Sequence, residues 1–221
     1  MSWDDKWRDD KTIAKWLTPD PAVETLAREW RTNGMQRALD LGCGVGRHVV
    51  LLARHGYETY GCDFSPAAVE HCREWLRRER LSATVTRADM TDVHAPDGFF
   101  DLIVAFNVIY HTTAEGMRAM ASLLHRKLRP GGCLFVTLKS PATWYFGRGR
   151  EIEPGTFIAP PKRDRPTKDM PVHFCTEEEA DRLFADFQVR SKRHVEQIQP
   201  SGKRLARWEL TLVNEPRPAS P

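Results

Sequence analysis

The chain has 221 residues and a formal net charge of +3, from 33 basic and 30 acidic side chains. This length fits one domain with a modest insertion, and the near balance of charge does not call for nucleic acid or an anionic membrane as a partner. The charged N-terminus is not an export signal, and no apolar run approaches the roughly 20 residues that span a bilayer. The five cysteines show neither a C-x-x-C pair nor metal-binding spacing, so we expect reduced thiols in the cytoplasm and no metal.

The first predicted element is an amphipathic helix over residues 3–16. Trp3, Trp7 and Trp16 recur in it at about one helical turn or a multiple of a turn, so they share one face. An aromatic face of this kind must cover another surface of the protein. Two prolines end the pattern, and a second helix is predicted over 23–31.

The middle of the chain alternates apolar strands with amphipathic helices. This alternation is typical of a Rossmann-like α/β fold, in which a doubly wound, mostly parallel sheet is covered on both faces. The predicted strands are 38–41, 57–62, 84–88, 100–107 and 132–139, and the predicted helices are 47–55, 66–79 and 114–128.

The last third of the chain changes character. Residues 140–173 are rich in proline, glycine and arginine and show no period, so we expect a long loop or lid-like insertion. A helix over 177–184 follows, with Thr176 as its N-cap and Glu179 at the capping-box position. Two predicted strands, 189–197 and 204–213, then form an antiparallel hairpin, and the whole chain is predicted to be one domain over 1–221.

A glycine-rich turn follows the first predicted strand. Its glycines, Gly42, Gly44 and Gly46, have the spacing G-x-G-x-G, and Arg47 stands where the third glycine of a dinucleotide fingerprint would be. Glycines at this point let the backbone turn sharply and approach a ligand at the carboxyl edge of the sheet. A tight turn without any ligand remains the alternative.

Acidic residues stand at the ends of three successive strands. They are Asp40, Asp63 and Asp89, and a carboxylate at the second strand end usually accepts hydrogen bonds from ribose hydroxyls. S-adenosylmethionine (SAM) also carries an ammonium and a sulfonium, so acidic residues suit it better than a dinucleotide pyrophosphate. Each aspartate alone could cap a turn, but three in register favour a cofactor site.

Together these motifs resemble those of the class I SAM-dependent methyltransferases. The resemblance covers residues 35–140 and is carried by five segments: Leu39-Asp40-Leu41-Gly42-Cys43-Gly44-Val45-Gly46, Gly61-Cys62-Asp63-Phe64-Ser65, Ala88-Asp89-Met90, Phe100-Asp101-Leu102-Ile103-Val104 and Arg129-Pro130-Gly131-Gly132. It implies a seven-stranded sheet with an antiparallel last strand, which the C-terminal hairpin can supply.

The resemblance also implies roles for single residues. Asp40, Gly42 and Gly44 would contact the methionine part of SAM, and Asp63 its ribose. Phe64, Asp89 and Met90 would frame the adenine, and Phe106 with Asn107 would lie near the transferred methyl group.

Narrower similarities concern the two ends of the chain. Trp3-Asp4-Asp5-Lys6-Trp7 resembles the N-terminal helix of thiopurine methyltransferases, and the layout after the fifth strand resembles tellurite-resistance methyltransferases. Arg47 also fits the second group. In such enzymes an N-terminal segment closes over the cofactor, so Trp16 is expected to contact it.

Candidate acceptor residues follow the fourth and fifth strands. Tyr110 and His111 stand where the family places its acceptor, and an imidazole is suited to general-base work near neutrality, although a loop-capping histidine is the alternative. The aromatic cluster Trp144-Tyr145-Phe146 is a candidate wall of the acceptor pocket, and packing of the insertion onto the core is the alternative. Weaker candidates for substrate binding are His173, Glu151 and Glu153.

The sequence therefore predicts SAM-dependent methyl transfer to a small molecule. A nucleic-acid or protein acceptor is the first alternative, kept open by Arg148, Arg150, Arg163 and Arg165, although no basic block or RNA-binding module is present. A non-catalytic SAM-binding regulator is the second alternative. The acceptor, its attacking atom and the oligomeric state remain open.

Overall fold

The computed structural model describes residues 3–158 and 170–215. The helices are α1 (Trp3–Lys6), α2 (Asp10–Ala14), α3 (Pro21–Thr32), α4 (Arg47–Arg54), α5 (Pro66–Glu79), α6 (Ala114–Lys127) and α7 (Glu177–Leu183). The strands are β1 (Arg37–Leu41), β2 (Glu58–Asp63), β3 (Thr84–Arg87), β4 (Phe100–Ala105), β5 (Leu128–Lys139), β6 (Arg150–Glu153), β7 (Thr156–Ile158), β8 (Pro171–His173), β9 (Gln188–Ile198) and β10 (Arg204–Asn214). None of the described helices is long and apolar enough to cross a membrane.

The main sheet contains seven strands in the order β3-β2-β1-β4-β5-β10-β9. Strands β1 to β5 pair in parallel, whereas β10 is antiparallel to both β5 and β9. The predicted fold class and the C-terminal hairpin are thereby confirmed. The strand order reverses between β1 and β4, and in open α/β sheets this reversal leaves a crevice at the carboxyl ends of the strands.

The core lies on both faces of this sheet. Strand β4 is apolar along almost its whole length, so one side packs against α6 and the other against α3. Trp30, Phe100 and Phe135 are among the largest fully buried side chains. Full burial of a large apolar side chain contributes about 1.5–3 kcal/mol, so these layers hold the strand ends in fixed positions.

The single helix predicted over 3–16 is corrected by the structure to two short helices. Asp9 interrupts it, because its carboxylate accepts a hydrogen bond from the Thr12 amide at 3.0 Å and so begins α2 as an N-cap. The turn between α1 and α2 still lets Trp7 and Ile13 pack together against the protein. The aromatic side chains of the segment therefore still pack together, although the segment is not one continuous helix.

The prediction of an aperiodic loop over 140–173 is also corrected. Within it, β6, β7 and β8 form a separate three-stranded antiparallel sheet. These strands have only three or four residues, too few for a period to show in the sequence. Residues 159–169, with Arg163 and Arg165, lie outside the described residues.

Candidate functional site

A cavity of about 370 Å³ opens at the carboxyl ends of β1, β2 and β4. The structure brings to it every residue that the sequence predicts for the cofactor: Trp16, Asp40, Gly42, Gly44, Arg47, Asp63, Phe64, Asp89, Met90, Phe106 and Asn107. Trp3, Trp7, Tyr110, His111, Lys139 and Tyr145 are also among its lining residues. The position agrees with the crevice that the strand order creates.

The glycine turn between β1 and α4 requires its glycines for two reasons. Gly42, Gly44 and Gly46 all have positive φ, between 53° and 98°, which other residues rarely adopt. A Cβ atom on Gly42 would also collide with Val108, and one on Gly46 with the thiol of Cys72. Gly46 offers no side chain to cap α4, so the turn leaves backbone amides near the cavity.

Asp63 fixes this turn from the end of β2. Its Oδ2 accepts a hydrogen bond from the Gly44 amide at 2.9 Å, and its Oδ1 accepts one from the Ser65 amide at the same distance. Burial nevertheless raises the pKa of this carboxyl above its usual value. Each oxygen keeps a second lone pair, so Asp63 can accept further hydrogen bonds from a ligand.

Asp40 is buried at the end of β1 and is only partly satisfied. Its Oδ2 has no hydrogen-bond partner within the described residues, and its Oδ1 lies 3.9 Å from Nδ1 of His48. Nε2 of His48 accepts a hydrogen bond from the Asp20 amide, so the imidazole is held in place. Burial raises the pKa of Asp40 to about 8, because together with the charge of Asp63 it outweighs the opposing effect of Arg47.

Asn107 provides a second unsatisfied acceptor. Its φ is +58°, an uncommon conformation for a residue other than glycine, and its Oδ1 is buried without a partner in the described part of the chain. The backbone amide of Asn107 donates a hydrogen bond to Oγ1 of Thr137 at 2.8 Å, and this bond holds the strained turn at the end of β4. Strain and an unpaired polar atom at one residue are typical of ligand sites.

The N-terminal segment docks over the cavity through Asp4. Oδ1 of Asp4 accepts hydrogen bonds from Oγ of Ser65 at 2.9 Å and from the Ala67 amide at 2.8 Å, at the start of α5. These bonds lower the pKa of Asp4. Because Asp4 and Ser65 are 61 positions apart in the sequence, this contact ties the segment to the side of the domain where the first cavity opens.

Three tryptophans of this segment surround a lysine. The rings of Trp3 and Trp7 stack at 5.9 Å, and Trp16 meets Trp7 edge-on at 5.8 Å. Nζ of Lys6 lies 4.2–4.8 Å from all three ring centroids. Burial and the nearby charge of Lys139 lower the pKa of Lys6 to about 8.

Arg47 closes the side of the cavity next to Trp16. Its guanidinium lies 5.0 Å from the Trp16 ring and 4.9 Å from the Phe106 ring, and it donates to the carbonyl of Thr18 at 3.2 Å. The cation therefore links the N-terminal segment to the end of β4.

A second cavity of about 290 Å³ adjoins the first. The two cavities share Tyr110, His111, Lys139 and Tyr145. The other residues that line the second cavity are Trp144, Arg148, Phe157, Val172, Phe174, Gln199 and Leu205. Trp144 and Tyr145, predicted to bind substrate, therefore lie at this second cavity.

His111 lies where the cavities meet, but its basicity is low. Its Nδ1 is buried and has no hydrogen-bond partner among the described residues. Burial, Lys139 and Lys6 together lower the pKa of His111 to about 3, so the imidazole is neutral at pH 7 and a weak base. Burial raises the pKa of Tyr110 well above its usual value, so its phenol stays protonated.

Two predicted substrate residues, Glu151 and His173, are not among the lining residues of either cavity, and their side chains have partners elsewhere in the fold. Glu151 is exposed on β6, where its carboxylate accepts a hydrogen bond from the Gly155 amide at 3.0 Å and closes the hairpin. His173 is buried between Oγ1 of Thr156 at 2.7 Å and the Glu179 carboxylate at 2.9 Å. Its ring nitrogens are thus both used in joining the small sheet to α7.

Sequence reasoning missed three charged or ionisable residues of the site. Lys139 and His48 line the first cavity, and Lys6 lies behind it among the tryptophans. The sequence does contain a signal for Lys139. It is a charged residue at the end of an otherwise apolar strand, and that strand ends at the same edge of the sheet as the strands that carry the three aspartates. Lys6 and His48 carry no comparable signal, because ordinary helix-surface residues look the same.

Comparison with known proteins shows which proteins the chain is similar to. A family model described as "Methyltransferase domain" matches residues 38–132. A ribosomal protein L11 methyltransferase of Ralstonia pickettii is 33% identical over 147 residues, which are 62% of this chain and 46% of that protein. The chain thus spans about half the length of this curated relative.

Solved structures extend the similarity over nearly the whole chain. A SAM-dependent methyltransferase from Methanosarcina mazei superposes with a TM-score of 0.72 at 20% identity, covering 90% of this chain and 99% of that one. The 1,6-didemethyltoxoflavin-N1-methyltransferase of Burkholderia thailandensis gives 0.67 at 16% identity, covering 96% and 85%. Residues 38–132 match a methyltransferase domain, and the chain has the fold of these SAM-dependent methyltransferases.

Proposed function

We propose that this protein transfers the methyl group of SAM to a small-molecule acceptor. The observation that carries the proposal is the pair of adjoining cavities, which differ in chemistry and meet at Tyr110, His111, Lys139 and Tyr145. The first has three aspartates at strand ends and two buried acceptors without partners. The second is largely aromatic and has the size of a small-ligand pocket.

The residues of the first cavity fit SAM. Oδ2 of Asp40 and Oδ1 of Asn107 are unsatisfied acceptors that an ammonium group would satisfy. The free lone pairs of Asp63 suit ribose hydroxyls, and Phe64 with Met90 offers apolar surface beside Asp89 for a purine ring. In this assignment Gly42 and Gly44 allow the backbone to approach the methionine part closely.

The chain's own contribution to the reaction would be positioning. SAM, when bound, supplies a methyl group that its sulfonium already activates, and holding a nucleophile in line with it can contribute up to about 7–11 kcal/mol. Tyr110 and His111 lie between the cavities and would orient the acceptor. Trp3, Trp7 and Trp16, which line the first cavity, would exclude water from it.

A protein acceptor is the second candidate, because the curated relatives include ribosomal protein L11 methyltransferases. The aromatic second cavity favours a small molecule instead, as does the toxoflavin-related neighbour. The five cysteines are buried and free, which suits a cytoplasmic protein.

Calorimetric titration with SAM, S-adenosylhomocysteine (SAH) and NADH tests the cofactor assignment. We expect the first two to bind and NADH not to bind. Turnover is then measured as SAH release with a metabolite library and, separately, with purified ribosomal proteins, with product masses recorded. Methylation of a ribosomal protein and of no metabolite would overturn the small-molecule proposal, and absence of SAM binding would overturn the enzyme assignment.

A further inference from the structure

The two cavities differ in the charges on their walls: the first has carboxylates together with Arg47 and Lys139, whereas the described lining residues of the second include cations and no carboxylate. Asp40, Asp63 and Asp89 line the first cavity. The second has Lys139 and Arg148 on its walls, and none of its described lining residues is an aspartate or glutamate. A ligand in the second cavity therefore meets positive charge without competing carboxylates.

Lys139 is the cation that faces both cavities. It ends β5, and its Nζ lies 5.0 Å from the centre of the Tyr110 ring and 6.0 Å from that of Tyr145. Among residues 3–158 and 170–215, no carboxylate forms an ion pair with it, and its Nζ has no hydrogen-bond acceptor. Aromatic faces attract a cation, but they do not neutralise it.

The neighbouring arginine shows the contrast. Arg207 is the cross-strand partner of Lys139, and its guanidinium donates to the carboxylates of Asp20 at 3.1 Å and Glu209 at 2.6 Å. Its charge is compensated within the fold. Lys6, the other nearby cation, contacts tryptophan rings, which do not neutralise its charge. It therefore adds to the positive potential around Lys139.

An uncompensated cation in a partly closed cavity is costly unless an anion joins it. We propose that the second cavity binds a planar aromatic carboxylate as the methyl acceptor, with the carboxylate paired to Lys139; this inference rests on the proposed function. The rings of Trp144, Tyr145 and Phe174 provide flat apolar walls for the aromatic part. Arg148, which lies over the Trp144 ring at 4.7 Å, is placed to attract the anion at the entrance.

The electrostatics of the surrounding groups agree with this assignment. Burial and Arg207 lower the pKa of Lys139 to about 8, and Lys139 with Lys6 helps to lower that of His111. A bound carboxylate would offset both effects, so the pKa values of Lys139 and His111 would rise. At pH 7 Lys139 remains mostly protonated and able to form the ion pair.

The test uses the full-length protein saturated with SAH at pH 7. Calorimetry measures the affinity of benzoate against benzamide and of 1-naphthoate against 1-naphthamide, pairs that differ in charge and hardly in shape. We expect each carboxylate to bind about 10- to 100-fold more tightly than its amide, as for a buried hydrogen bond to a charged group. Lys139→Met should abolish the difference, and Lys139→Arg should keep part of it.

Lys192→Met is the matched control. It removes one positive charge from β9, where Lys192 pairs with Asp181 at 2.7 Å, and we expect it to leave the carboxylate preference unchanged. Equal binding of the members of each pair by wild type, binding of neither member, or a preference that survives in Lys139→Met would overturn the inference while SAH binding keeps the proposed function intact. Failure of SAH itself to bind would overturn the proposed function and this inference together.

Discussion

Replacing Asp4 by alanine should release the N-terminal segment from the domain. The change removes the acceptor for two hydrogen bonds, from Oγ of Ser65 at 2.9 Å and from the Ala67 amide at 2.8 Å. Hydrogen bonds to a charged group contribute about 1.5–3 kcal/mol each when buried, but the Asp4 side chain is 27% exposed, so solvent screens them. We therefore assign about 2 kcal/mol to the pair, or about a thirty-fold shift toward the undocked segment.

This shift should appear in cofactor affinity rather than in global stability. Trp3, Trp7 and Trp16 line the first cavity, where we propose that SAM binds, so a protein with an undocked segment would bind SAM with an incomplete site. The apparent dissociation constant rises as the docked fraction falls, up to about thirty-fold. Helix α1 contains no buried residue, and Trp7 and Ile13 pack in a small cluster separate from the two main clusters on the sheet, so the melting temperature should change less than the affinity.

Calorimetric titration with SAM and SAH measures the effect, and tryptophan fluorescence reports the docking. Asp10→Ala is the matched control, because Asp10 is exposed on α2 and its loss should leave affinity unchanged. The docking bonds lower the pKa of Asp4, so docking should persist above its ordinary pKa and be lost as pH falls through the lowered value. Wild-type affinity in Asp4→Ala, or an equal loss in Asp10→Ala, would refute the reasoning.

Three further outcomes are expected. Because the pKa of Asp40 is about 8 and a bound ammonium favours its ionised form, SAM binding at pH 7 should release close to one proton, seen by calorimetry in buffers of different ionisation enthalpy; Asp40→Asn should release none. With its pKa near 3, His111 is a weak base, so His111→Ala should lower kcat by less than the roughly 10²–10⁴ of general-base catalysis; a loss in that range with unchanged SAM affinity would contradict this. Leu102→Ala, at a fully buried position of β4, should cost about 2–5 kcal/mol of unfolding free energy in urea, and a smaller cost would mean that the strand is not central to the core.

The cofactor half of the site could be predicted from the sequence because strand pattern and topology fix it. Parallel strands end at one edge of the sheet, so Asp40, Asp63 and Asp89 had to meet there once the strands were assigned. The glycine-rich turn could be predicted for the same reason, because a G-x-G-x-G segment at the end of a strand can adopt few backbone conformations. These inferences needed only local patterns and a general rule of chain connection.

The acceptor half could not be predicted in this way. Whether Lys139 has a carboxylate partner depends on distant residues, and Arg207 uses the nearby Asp20 and Glu209 instead. The sequence suggested that His173 could bind substrate, but both of its ring nitrogens form hydrogen bonds, one with Thr156 and one with Glu179. Pairing of side chains across the fold is a tertiary property, so a single sequence does not reveal it.

The N-terminal segment connects the two halves physically. It contributes tryptophans to the first cavity, and it places Lys6 where Lys139 lowers the pKa of Lys6 and where both lysines lower that of His111. Docking of the segment therefore raises the positive potential where the acceptor would bind, in addition to covering the first cavity. Under the proposed function the two ligands would be coupled through one element: bound SAM would complete the docked state, and the docked state would strengthen the attraction for an anionic acceptor. Loss of the Asp4 contacts should accordingly weaken the binding of both SAM and the acceptor, whereas loss of the Lys139 side chain should weaken the binding of the acceptor alone.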